Sequence, residues 1–144
     1  MVGGNPVTLT TRNSYALFTG ANYAFQYLRE TLETWYPAGQ IEEDPYMVGA
    51  SQWKNLILTI PGTQNPAEVV ILSAHYDSRS GNLLSATDPA PGADDNGSGS
   101  AALLEAARIL HGQTFPRTIR LIWFTGEEQG LYGSSAYVND HDLS

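Results

Sequence analysis

Pro91-Gly-Ala-Asp-Asp-Asn-Gly-Ser-Gly-Ser-Ala-Ala-Leu-Leu-Glu105 joins two adjacent carboxylates to a glycine-rich turn and then to a run of good helix formers. Asp94 and Asp95 sit where a loop becomes a helix, and no Lys or Arg lies between Arg79 and Arg108. Two unpaired acids in a tight turn repel each other, and a bound cation removes that cost. Upstream, Val69-Val-Ile-Leu-Ser-Ala74 is apolar on both faces, as in the buried strand of a layered α/β sheet, and runs into His75-Tyr-Asp77. Downstream, Ser98–Leu110 reads as a helix with Ser98 as its cap and Gly112 just past its end. Thr118–Thr125 is a further strand that ends at Gly126-Glu-Glu-Gln-Gly130, and 130–138 reads as a short helix. The order strand, loop, helix, strand, helix predicts an α/β domain with parallel central strands. His75, Asp95 and Glu128 then lie past strand ends or at a helix start. In an open α/β sheet that carboxyl edge is where ligands bind.

Farther out lie supporting elements. Ala21, Ala24, Phe25, Leu28, Leu32 and Trp35 recur at helical spacing, and Pro37 and Gly39 close the run, which predicts an amphipathic covering helix. Asn55–Ile60 is a strand stopped by Pro61-Gly62. Ile41–Val48 reads as an acidic edge strand broken by Pro45, and Val7–Thr11 as a short strand. Residues 78–93 form a polar loop rich in Ser, Pro and Gly, of a length that is usually functional in a compact domain. No repeat or linker divides the chain, so residues 1–144 read as one domain or part of a larger one.

The sequence holds 15 Asp and Glu against 7 Lys and Arg, a formal charge of −8. Nucleic acid and anionic membrane both need basic surface, so neither is expected as a partner. There is no cysteine, hence no disulfide and no thiolate chemistry. No apolar run approaches membrane-spanning length. Met1-Val-Gly-Gly lacks the basic and apolar regions of a signal peptide, which leaves room for a leader farther upstream.

Asp77, two residues beyond His75, is placed to fix the tautomer of that ring and raise its basicity as a ligand. Glu127-Glu128 follows the apolar run Leu121–Phe124, where a solvated surface turn is a poor fit. His, Asp and Glu delivered to one edge are what a zinc-like divalent ion takes. Rival motifs fail on context. Gly97-Ser-Gly-Ser-Ala-Ala102 fits a degenerate dinucleotide fingerprint, but two carboxylates precede it in place of a strand. Asp94 to Glu105 fits calcium-loop spacing, but Pro89, Pro91 and Gly92 forbid the incoming helix. No Gly-x-Ser-x-Gly nucleophile elbow occurs.

Ser73-Ala-His75-Tyr-Asp77, Gly92-Ala-Asp-Asp95-Asn-Gly-Ser-Gly99 and Thr125-Gly-Glu127-Glu128-Gln-Gly-Leu-Tyr-Gly-Ser134 resemble the successive motifs of the M28 family of co-catalytic zinc peptidases, mostly aminopeptidases. The likeness runs from about residue 10 to the end. It implies a three-layer α/β fold, with a mixed, mostly parallel central sheet and helices on both faces, of the phosphorylase/hydrolase-like zinc exopeptidase type. It implies two zinc ions and a peptide or protein substrate. By the resemblance His75 is a ligand of the first zinc, Asp95 the carboxylate bridging both, and Glu128 a ligand of the second. Glu127 is the general base and Asp77 the partner of His75, while Asp94 matches no ligand position. The resemblance also implies a secreted or extracytoplasmic setting.

The family pattern needs two further ligands, an Asp and a His, from beyond the Glu-Glu motif. His141 and Asp142 are too close to Glu128 to serve. The chain therefore reads as the N-terminal part of a catalytic domain, incomplete at its C-terminus, with weak metal binding and negligible activity when isolated. The strand 69–74 is central in the family's sheet, so one flank is expected to be bare here and to self-associate. A carboxypeptidase, a cyclase or a non-enzymatic interaction module on the same fold are the alternatives. The intact ligands weigh against the last.

Overall fold

In the computed structural model, residues 3–4, 23–82, 85 and 88–141 are described. The expected strand at Val7–Thr11 and the first residue of the expected helix, Ala21, lie outside them. The elements are α1 (Tyr23–Glu33), β1 (Ile41–Val48), β2 (Ser51–Ile60), β3 (Gly62–His75), α2 (Gly99–Leu110), β4 (Phe115–Phe124) and α3 (Tyr132–Asp140). The four strands form one mixed sheet in the order β1-β2-β4-β3. β3 and β4 are parallel, as expected, whereas β1–β2 and β2–β4 are antiparallel. Among the described strands the parallel share is thus smaller than the sequence suggested. β1 and β2 are joined by the two residues Gly49 and Ala50, and a two-residue hairpin turn imposes an antiparallel pair.

Alternation along β2 and β4 decides the layers. Leu56, Leu58 and Ile60 of β2, with Leu121 and Trp123 of β4, share a core with Phe25, Leu28 and Leu32 of α1 and Leu103 and Ala107 of α2. Ile57 and Ile122 point to the other face and pack on Tyr137 of α3. Side chains a residue apart on a strand face opposite ways, so one apolar run supplies both cores and helices cover both faces.

Three local expectations shift. Pro45 does not break β1, which is continuous and, among the described residues, paired on one side only, where a missing N–H costs no ladder bond if it faces outward. β3 begins at Gly62, because that residue passes against the β4 backbone: a Cβ there would lie 2.5 Å from the Arg117 carbonyl carbon. Among the described residues β3 is the sheet's edge, and Val69, Val70, Ile71 and Leu72 are 40–46% exposed in place of buried.

Candidate metal centre

The site is built where β3 and β4 end side by side. Their parallel register sets His75 against Phe124, so the segments that follow both strands leave from one edge. The Tyr76 N–H donates to the Phe124 carbonyl at 2.9 Å and carries the pairing one residue past His75. The first turn of α2 meets the same place, where the Ser100 hydroxyl donates to the His75 carbonyl at 2.9 Å. The approach to α2 is an irregular turn, Ala93–Ser98, with the Asp95–Asn96 peptide cis. Ser98, expected to cap α2, is already helical and donates its hydroxyl to the Asp94 carbonyl. Asn96 caps instead, its Oδ1 accepting the Gly99 N–H at 2.9 Å. A Cβ at Gly99 would lie 2.2 Å from that oxygen and 3.1 Å from the Ala74 Cβ, which is why glycine stands there.

The structure brings together the residues singled out by the sequence. His75 is 8% exposed. Its Nδ1 lies 3.4 Å from Asp77 Oδ1 and 3.2 Å from the Asp77 carbonyl. Its Nε2 lies 2.9 Å from Asp95 Oδ1 and 3.7 Å from Glu127 Oε2. The Glu128 N–H donates to Asp77 Oδ2 at 3.4 Å, so buried Asp77 ties the β3 edge to the Glu-Glu loop. Beside them opens a cleft of about 280 Å³ lined by His75, Asn96, Thr125, Glu127, Leu131 and Ser134. Asp94 stays exposed. His141 takes no part: it follows the end of α3 with its ring tilted against Tyr137, centroids 4.2 Å apart. Asp142 lies outside the described residues.

Arg79, Ser100 and Asn96 belong to the site and were not singled out by sequence. Arg79 Nε stands 3.5 Å from Glu128 Oε2. Its signal was available, since it is the last cation before a stretch with none up to Arg108. Ser100 and Asn96 act through backbone groups, which no pattern of side-chain types announces.

Burial opposes a charge on His75, but the hydrogen bond and charge of Asp77 and the charge of Glu127 outweigh it and lift its pKa to about 9. Burial also raises the Glu128 carboxyl, helped by the charges of Asp95 and Asp77, and Arg79 and His75 offset this only in part. In the metal-free protein a proton on His75 therefore mediates between crowded carboxylates. An imidazole and several carboxylates at one sheet edge fit zinc in kind. Among the described residues no three such side chains are set as a closed metal cage, so the donor set is right in chemistry and short in number.

The sequence profile of Peptidase family M28 matches residues 55–144. A probable zinc metalloprotease of Leptosphaeria maculans is 44% identical over 80 residues, which is 56% of this chain and 19% of that protein. Leucine aminopeptidase 1 of Arthroderma otae is 49% identical over 88 residues, 57% of this chain and 23% of that protein. The crystal structure of the LapA aminopeptidase of Legionella pneumophila is similar with a TM-score of 0.68 at 27% identity, covering 93% of this chain and 35% of that one. The chain thus spans about a fifth of the length of these two curated relatives.

Proposed function

Because the chain belongs to peptidase family M28, we propose that the protein containing it is a zinc-dependent exopeptidase, an aminopeptidase that releases N-terminal residues from peptides. The observation that carries this is the convergence of His75, Asp95, Glu127 and Glu128 on one sheet edge, with Asp77 behind the histidine. His75, Asp95 and Glu128 would hold two zinc ions, Asp95 being shared, with further ligands from parts of such relatives that this chain does not span. When bound, zinc polarises a water and the scissile carbonyl. Glu127 would serve as the general base, taking a proton from the attacking water and passing it to the leaving amine. Asp77 holds the His75 ring in one tautomer, and Arg79 steadies Glu128. A secreted or extracytoplasmic setting is proposed with it, on the family resemblance.

A substrate panel on the full-length protein tests the reading. Aminoacyl anilides with a free amino terminus are expected to be cleaved, blocked ones spared, and the protein to carry zinc. Cleavage from the carboxyl end, or cyclisation of N-terminal glutamine, moves the activity to another chemistry on this fold. A protein with no zinc and no turnover is an interaction module.

The isolated 144-residue chain is expected to bind zinc weakly, with two protein ligands per ion, and to release a proton from His75 as it does so. With the folded pKa at about 9, above the ordinary histidine value, the stabilisation from that proton is complete below the ordinary range. It is lost as pH rises through about 9, while zinc affinity climbs over the same window. Calorimetry in buffers of different ionisation heat reads the released proton. Nanomolar affinity that ignores pH would contradict the expectation.

We also propose that the isolated chain self-associates by pairing β3 with β3 of a second copy. Among the described residues the edge has no strand beyond it along four consecutive apolar residues, Val69–Leu72, all exposed. Val70 is 46% exposed, so Val70→Lys charges the edge and spares the core. Sedimentation is expected to show association in the parent chain and its reduction in the variant. A parent that stays monomeric at high concentration refutes the pairing.

A further inference from the structure

Asn55 is fully buried, and its side-chain hydrogen bonds go to Asp44, Thr125 and Gly133. It lies in β2 opposite Asp44 of β1, one residue before β2 begins its ladder with β4 at Leu56 and Trp123. At that point β4 leaves the sheet, and the segment 125–133, a loop that runs into the first turn of α3, carries Glu127 and Glu128. The Asn55 amide takes over where the ladder stops. Its Oδ1 accepts the Thr125 N–H at 3.1 Å, and its Nδ2 donates to the Gly133 carbonyl at 3.0 Å and to Asp44 Oδ2 at 2.8 Å. A backbone N–H can only donate and a carbonyl can only accept, so the two loop contacts fix which way the amide points.

One side chain thus grips both ends of the loop. The neck is closed by the Gly133 N–H donating to the Thr125 carbonyl and the Tyr132 N–H to the Gly126 carbonyl, both at 3.0 Å. The Tyr46 hydroxyl donates to the same Thr125 carbonyl at 2.8 Å. Glycine is required at both shoulders. A Cβ at Gly133 would lie 2.3 Å from Asn55 Oδ1, and one at Gly126, where φ is +71°, would lie 2.9 Å from the Trp53 ring and the Tyr46 hydroxyl. The hairpin β1–β2 is therefore the seat of the Glu-Glu loop, and the Asn55 amide is its fastener.

We propose that Asn55 is a positioning residue for catalysis: its amide sets where Glu127 and Glu128 stand relative to His75, and does so through hydrogen bonds to Thr125 and Gly133, not through its volume. The proposal rests on Glu127 acting as the general base. Asn55→Asp keeps the shape and the acceptor but loses both donors and faces the Asp44 carboxylate. Asn55→Leu keeps the branch pattern and heavy-atom count in a somewhat larger side chain and loses every hydrogen bond. In the full-length protein each is expected to lower kcat on an aminoacyl anilide about a hundredfold, the cost of misplacing a catalytic group by about 1 Å, with KM little changed. Amide hydrogen exchange supplies the second measure. Protection over residues 125–133 is expected to fall about tenfold, while that of 119–123 in β4 stays as it was. Should Asn55→Leu fail to fold, Asn55→Asp alone carries the comparison. Unchanged kcat in a folded variant, or exchange that rises equally across the whole sheet, overturns the proposal and leaves Asn55 a residue of general stability. If a Glu127→Gln control keeps full turnover, the catalytic reading falls, and the exchange pattern still decides whether the amide fastens the loop.

Discussion

Glu127→Gln in the full-length protein is expected to lower turnover of an aminoacyl anilide by about 10²–10⁴-fold, with zinc content intact. The two glutamates are held differently. Glu128 keeps its side chain 13% exposed beside Arg79, with its own N–H on Asp77. Glu127 leaves 38% of its side chain exposed in the cleft, 3.7 Å from His75 Nε2. The first is placed as a ligand is placed, the second as a group that must swing between a water and a leaving nitrogen. Glutamine preserves size and polarity but cannot accept a proton near neutral pH. The loss should fall on kcat, with KM close to its original value, because ground-state contacts are kept. Undiminished hydrolysis by a zinc-loaded variant would remove Glu127 from the mechanism.

Trp123→Ala is the substitution expected to damage the fold most. Trp123 is 0% exposed in the face shared by α1, α2 and the sheet. Removing the ring from such a site costs about 3–5 kcal/mol, against a total stability of about 5–15 kcal/mol for a domain. The indole N–H also donates to the Ser100 carbonyl at 3.1 Å, and Ser100 in turn holds the His75 carbonyl. Loss of the indole therefore loosens the metal edge as well as the core. Denaturant titration should show the midpoint falling steeply. A change below about 1 kcal/mol would mean that the cavity collapses at little cost.

The sheet edge was legible because His75 and the two glutamates each follow a run whose pattern is strong on its own. Val69–Ala74 delivers His75 and Leu121–Phe124 delivers the two glutamates, so pairing those runs in parallel places the site. Illegible features depended on partners remote in sequence. Asn55 reads as an ordinary first residue of an apolar strand, and its partners are Thr125 and Gly133. Ser98 looked the better cap by composition, but the turn closes through Asn96, which reaches Gly99 because the backbone at 95 and 96 is not helical. The segment 62–68 carries Pro66 and no apolar alternation, and it is strand only because Gly62 and Asn65 lie against β4.

The sheet order β1-β2-β4-β3 also has a consequence for synthesis on the ribosome. The hairpin β1–β2 closes locally as soon as it emerges. β3 emerges next and finds nothing to pair with, because its neighbour β4 ends about fifty residues later. At cellular elongation rates of about 5–20 residues per second, the apolar run from Val69 to Ala74 stays unpaired for on the order of 3–10 s. The two halves of the site, His75 on one strand and the glutamates after the other, are joined only when that wait ends. During nascent-chain growth the segment at greatest risk of misassembly, and the natural stopping place for a chaperone, is thus the strand that delivers the histidine.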